Sequence, residues 1–235
     1  MKAEILGQLR RDRQDKRPVV LITTLPTGEE RLVYPHQAHV GEPPGQPAEV
    51  GAAAGDALDR DQCVTLEQEG GASLFLQPFN PPLRLVLVGA VHIAQPLARM
   101  AALADFEVIV VDPRSAFSTE ARFPDVTRVA AWPDRALAEL RPDRRTAVVT
   151  LTHDPKLDDP ALEIALRSDA FYVGCLGSGK THAARLGRLR QRGFTDAELG
   201  RIFGPVGLRI GARSPAEIAV SILAQIVEQL RVTKP

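Results

Sequence analysis

From Leu83 to Arg231 short apolar runs alternate with stretches of helical period, and this order constrains the fold more than any other feature of the chain. Arg84 to Val88 is too short for a helix, and the stretch after it puts Ile93, Leu97, Met100 and Ala104 on one face. Glu107 to Val111 is β-branched and ends at Asp112-Pro113. Asp134 to Leu140 reads as a short helix before a strand at Thr146 to Leu151. Asp159-Pro160 reads as a cap followed by proline at the first helical position, with the helix running to about Arg167 and a strand at Ala170 to Val173. Ser214-Pro215-Ala216-Glu217 is a capping box opening a helix whose Ile218, Ile222 and Ile226 share a wide apolar face. Strand followed by helix, four times, predicts an α/β class: a Rossmann-like parallel sheet with flanking helices over residues 83–235.

Residues 1–82 predict a small N-terminal module and linker. Ile5 to Arg17 suits a helix, Val19 to Thr23 a strand, and Pro26-Thr27-Gly28 a turn. Between Pro35 and Gly55 the four prolines Pro35, Pro43, Pro44 and Pro47, with Gly41, Gly45 and Gly51, favour an irregular loop. A strand is expected from Ala72 to Gln77 and a linker at Pro78 to Pro82.

Charge narrows the function classes. Lys plus Arg and Asp plus Glu number 29 each, so no summed positive field draws the chain to nucleic acid or an anionic membrane surface. The charged N-terminus (Lys2, Glu4, Arg10, Arg11) resembles neither a leader nor a membrane span, and a cytoplasmic protein is expected. Cys63 and Cys175 are too few for a disulfide framework or a four-ligand zinc site, and reduced thiols are expected.

In open α/β sheets, ligands bind outside the carboxyl ends of the strands, which leaves four loops to consider. Gly89-Ala90-Val91-His92-Ile93-Ala94 nearly matches the dinucleotide fingerprint, but Val91 stands where backbone would approach a pyrophosphate, and a plain turn is the alternative. Asp112 ends the second strand where an acidic residue would meet a ribose hydroxyl, and Arg114 could meet a phosphate; a turn contact between the two is the alternative. Thr152-His153-Asp154, with Asp158 and Asp159 behind, gathers an imidazole and carboxylates but too few ligands to define a metal site. Gly174 to Thr181 fits the phosphate-loop pattern G-x-x-x-x-G-K-[ST], although no downstream strand ends in an aspartate to hold magnesium. Its backbone amides and Lys180 suit a phosphate or another anion.

Five segments in order carry a resemblance: L-V-L-V-G-A-V-H-I-A-Q-P-L-A, V-V-D-P-R, T-H-D-P-K-L-D, Y-V-G-C-L-G-S and G-P-V-G-L-R-I-G-A-R-S-P-A-E-I-A-V-S-I-L-A. Over about residues 83–231 the chain resembles the XdhC/CoxI family, accessory proteins of xanthine dehydrogenase and related molybdenum hydroxylases. The resemblance implies a chaperone without catalysis of its own. It would bind the molybdenum cofactor (molybdopterin) as cargo, shelter it during sulfuration and insert it into a hydroxylase client, with a cysteine desulfurase as a further partner and a homodimer as a further expectation. It places His92, Asp112, Arg114, His153 and Asp154 around one cleft; beside it, the reading of the loops gives Gly177, Ser178 and Lys180 to the cofactor's phosphate and Gly89 to the tight turn of the first loop. Two alternatives follow from single loops: an NAD(P)-binding oxidoreductase, which lacks an evident Tyr/Lys proton donor, and a P-loop nucleotide-binding protein.

Overall fold

The computed structural model describes residues 2–35, 48–68 and 72–231. The chain divides into two compact units, Met1–Pro81 and Pro82–Pro235.

The first unit runs α1 (Ala3–Gln14), β1 (Val19–Thr24), β2 (Glu29–Val33), α2 (Ala48–Arg60), β3 (Val64–Glu67) and β4 (Ser73–Phe79). Its strands form an antiparallel sheet in the order β2-β1-β4-β3. The expected irregular loop is corrected from Ala48 onward, where α2 buries Val50, Ala54, Ala57 and Leu58, the first, second and fourth of them in one cluster with β1 and β4 residues. Their i, i+4, i+7, i+8 spacing packs one face on the sheet, which outweighs the cost of about 1 kcal/mol for each of Gly51 and Gly55 inside the helix. Pro43, Pro44, Pro47, Gly41 and Gly45 lie outside the described residues. The linker expected at Pro78 begins later, because Pro78 and Phe79 still pair with Val20 and Val19. A proline is tolerated there because β3 stops opposite Leu76 and leaves that side of β4 open.

The second unit runs β5 (Leu83–Val88), α3 (Ala94–Leu103), β6 (Phe106–Val111), β7 (Thr127–Val129), α4 (Pro133–Leu140), β8 (Thr146–Thr150), α5 (Pro155–Leu166), β9 (Tyr172–Cys175), α6 (Gly179–Gln191), α7 (Asp196–Leu199), β10 (Ile202–Phe203) and α8 (Pro215–Arg231). All six strands are parallel, in the order β10-β9-β8-β5-β6-β7. The four expected strands therefore share one Rossmann-like sheet, joined by β7 and β10, which are too short to show a period in the sequence. Strand side chains alternate between two cores. Leu85, Leu87, Val108, Val110 and Val149 pack with α3 and α8, whereas Val86, Val88, Ile109, Val148 and Val173 pack with α4, α5 and α6.

Two local readings change. Helix α5 begins at Pro155, with the Asp154 side chain accepting from the amide of Lys156 at 2.9 Å, so Asp154 is the cap and Pro160 lies inside the helix. Asp159 is instead buried and takes two bonds from Arg188, at 2.6 and 2.9 Å. The capping box of α8 forms as expected: the Ser214 hydroxyl accepts from the Glu217 amide, and the Glu217 carboxylate accepts from the amides of Ser214 and Arg213.

Candidate functional site

The winding of the sheet reverses between β5 and β8, and the crevice outside this switch point is where such sheets bind ligands. Gly89 makes the close approach possible. Its φ is +107°, and a Cβ there would lie 2.3 Å from Cγ2 of Thr152 at the end of β8. The first and third candidate loops therefore touch.

The second loop is tied to the first by Asp112. Its buried carboxylate accepts from the amide of Ala90 at 2.8 Å, from the amide of Arg114 at 2.9 Å, and from Nε and Nη2 of Arg114, each at 2.9 Å. Burial alone would raise its pKa, but the donors of Arg114 and Ala90 outweigh it and hold the carboxyl below the usual range. A carboxylate has about four lone-pair sites, and four donors occupy them, so none is left for a ribose hydroxyl. The turn contact, the alternative reading of this pair, is what forms. Arg114 also stacks on Phe117, 4.7 Å from the ring centroid, and feels the negative charge of Asp154 in the third loop.

In the third loop His153 is exposed and adopts φ +61°, a left-handed conformation that costs a non-glycine residue on the order of 1 kcal/mol. The Asp154 amide donates to the Thr152 hydroxyl at 3.1 Å. Among the described residues no group of three His, Cys, Asp or Glu could hold a metal ion.

The fourth loop is shorter than its motif suggests. Gly174 and Cys175 belong to β9, and α6 starts at Gly179, so only Leu176, Gly177 and Ser178 connect them. Gly174 leaves room for Val206: a Cβ there would sit 2.6 Å from Cγ2 of that residue. Three connecting residues cannot wrap a nucleotide's phosphates as a full phosphate loop does, and the Thr181 hydroxyl is engaged by Ser178 at 2.9 Å. What remains is the start of a 13-residue helix capped by Ser178, with Lys180 exposed in its first turn. That arrangement suits an anion.

Arg185 and His182 escaped the sequence reading, and Asp158 entered it only as a neighbour of the third loop. Arg185 is fully buried, donates to Sγ of Cys175 at 2.9 Å and the carbonyl of Leu176 at 3.1 Å, and pairs with Asp158 at 3.3 Å. Asp158 accepts from the Thr152 hydroxyl at 2.6 Å, and burial raises its pKa despite these partners. His182 lies against Gly204 with Nδ1 3.7 Å from Sγ of Cys175; burial, then the charge of Arg185, lower its pKa, so the imidazole is neutral at pH 7. Burial pushes the Cys175 thiol up to about 11. In the sequence Arg185, His182 and Asp158 look like ordinary helix positions.

His92 stands apart from the other candidates. It is exposed and lines a shallow groove of about 440 Å³ with Gln95, Pro96, Arg99, Met100, Leu103 and Pro215, and no other candidate residue lines that groove.

Comparison with known proteins agrees with this architecture. The chain is 36% identical over 157 residues to a probable xanthine dehydrogenase subunit from Bacillus subtilis (strain 168), covering 66% of this chain and 46% of that one. It is 31% identical over 166 residues to the molybdenum cofactor insertion chaperone PaoD of Escherichia coli (strain K12), covering 70% of this chain and 46% of that one. The chain thus spans less than half the length of these relatives. A crystal structure described as a xanthine dehydrogenase from Bacillus halodurans superposes with a TM-score of 0.70 at 26% identity, over 98% of this chain and 65% of that one. Residues 85–226, the body of the six-stranded unit, match the model of the XdhC Rossmann domain, and the chain belongs to that family.

Proposed function

We propose that this chain binds the molybdenum cofactor as cargo and aids its insertion into a molybdenum hydroxylase. The support is the family, a relative named for cofactor insertion, and one arrangement above all: the capped start of α6 and the Thr152–Asp154 loop, tied together at the carboxyl edge of one sheet. The pterin's phosphate would take the amides following Gly177 and Ser178 and the charge of Lys180, and His153 and Asp154 would meet the other end of the ligand. Arg114 would close the cleft on the β6 side, with Gly89 and Asp112 shaping its floor. A hydroxylase client, a cysteine desulfurase that supplies the terminal sulfur, and self-association belong to the same reading. His92, on its separate groove, has no direct cofactor contact in it. The NAD(P) alternative loses its main support in the saturated Asp112, and the P-loop alternative in the three-residue connection.

The test is equilibrium binding of molybdopterin to the wild type, Lys180→Ala and His153→Ala at low and high salt. Lys180→Ala should weaken binding most at low salt, because a point charge is screened. His153→Ala should weaken it with less salt dependence. Absence of wild-type binding, or equal binding by all three proteins, overturns the reading.

A further inference from the structure

The largest fully buried side chain among the described residues is that of an arginine, Arg185. Burying its charge beside Asp158 is a poor way to stabilise a core, since a well-packed apolar pair of similar volume does as well or better. Its connections are more informative. Nη2 of Arg185 reaches the carbonyl of Leu176, the first residue after β9, and also Asp158 on α5. Asp158 in turn holds both the hydroxyl and the amide of Thr152, the loop residue at the end of β8. Nη1 anchors the same guanidinium to Cys175 in the strand. A Cβ on Gly177 would lie 3.7 Å from Nη1, so the guanidinium sits directly beneath the turn leading into α6.

We infer that Arg185, acting through Asp158, is a positioning residue that sets the spacing between the Thr152–Asp154 loop and the Leu176–Lys180 loop. It touches no ligand itself. A planar guanidinium with donors in fixed directions spans three acceptors at once, whereas a lysine ammonium places one point charge and cannot hold the same spacing. The inference rests on the cofactor reading for its purpose but not for its geometry. Held apart correctly, one loop grips the anionic end of the ligand and the other its opposite end; loosened, each loop binds alone and the gain from gripping both ends is lost.

The experiment compares full-length wild type, Arg185→Met, Arg185→Lys and Leu189→Ala. Leu189 is fully buried on the same helix and packs in the core between sheet and helices, so its truncation is a control for general destabilisation. Amide hydrogen exchange of residues 152–154 and 177–181 is measured without ligand, and molybdopterin affinity is measured separately. In Arg185→Met both loops should exchange about tenfold faster, and affinity should fall by a similar factor, with Arg185→Lys between it and the wild type. Leu189→Ala should lower the melting temperature without changing exchange in either loop relative to the rest of the sheet. Unchanged loop exchange in the two Arg185 variants, or equal loosening in Leu189→Ala, overturns the inference. If Arg185→Met does not fold, Arg185→Lys against Leu189→Ala decides it. Loosened loops in a protein whose wild type binds no molybdopterin would leave the positioning role standing and remove the cofactor reading.

Discussion

Two buried groups, Asp158 and Cys175, draw on different nitrogens of the Arg185 guanidinium. With the carboxylate ionised the pair is neutral and the thiol keeps its proton, which His182 can accept as a hydrogen bond through Nδ1. Asp158→Asn removes the negative charge and leaves Arg185 uncompensated, at a cost of about 3 kcal/mol at neutral pH. The thiolate of Cys175 then becomes the available counter-charge, so its pKa should fall well below about 11. Folded-state pKa above the unfolded value means that the thiol stabilises the fold at low pH and the benefit is lost as pH rises toward about 11. The loss sets in where the unfolded thiol titrates in both proteins, so in Asp158→Asn it should be smaller and complete at lower pH. Thiolate ultraviolet absorbance against pH, in a Cys63→Ser background, checks both statements; an unmoved titration refutes them. The cluster was not legible in the sequence, because Arg185 meets partners 10 and 27 residues away and nothing local marks it as buried. Asp112 was legible in position but not in role: a strand-end aspartate before proline looks the same whether it faces a ribose or its own turn.

At the level of elements, the strands that were easy to recognise are those buried on both faces, β5, β6 and β8, whose unbroken apolar runs need no partner to identify them. Helix α2 was hidden by its composition, since its small residues form a face only once a sheet lies beneath them. The start of α5 was ambiguous for a different reason: this stretch of the chain offers Asp-Pro twice, at 154–155 and 159–160, and both satisfy the same capping rule. The fold uses the first, which frees Asp159 to pair with Arg188. Because Asp154 both caps α5 and is a candidate ligand contact, two substitutions separate the roles. Asp154→Ala should cost about 1 kcal/mol, while Asp154→Asn, an equally good cap, should cost little. Thermal denaturation measures the cap, and any loss of molybdopterin affinity in the stable Asn variant belongs to the carboxylate alone. Equal destabilisation by both would show that the cap is not what Asp154 contributes.

On the scale of the whole molecule, the two units keep separate interiors: one cluster lies within Met1–Pro81 and two within Pro82–Pro235. Each unit also carries one of the two cysteines, Cys63 exposed in the first and Cys175 buried in the second. A chromogenic disulfide reagent should therefore titrate one thiol per chain in native buffer and the second only in denaturant. Two fast equivalents would show that the second unit opens readily around Cys175. The burial of Cys175 gives the experimenter an addressable protein without engineering. A fluorophore coupled under native conditions lands on Cys63 alone, so its signal follows the first unit, while the delayed second equivalent times the opening of the other.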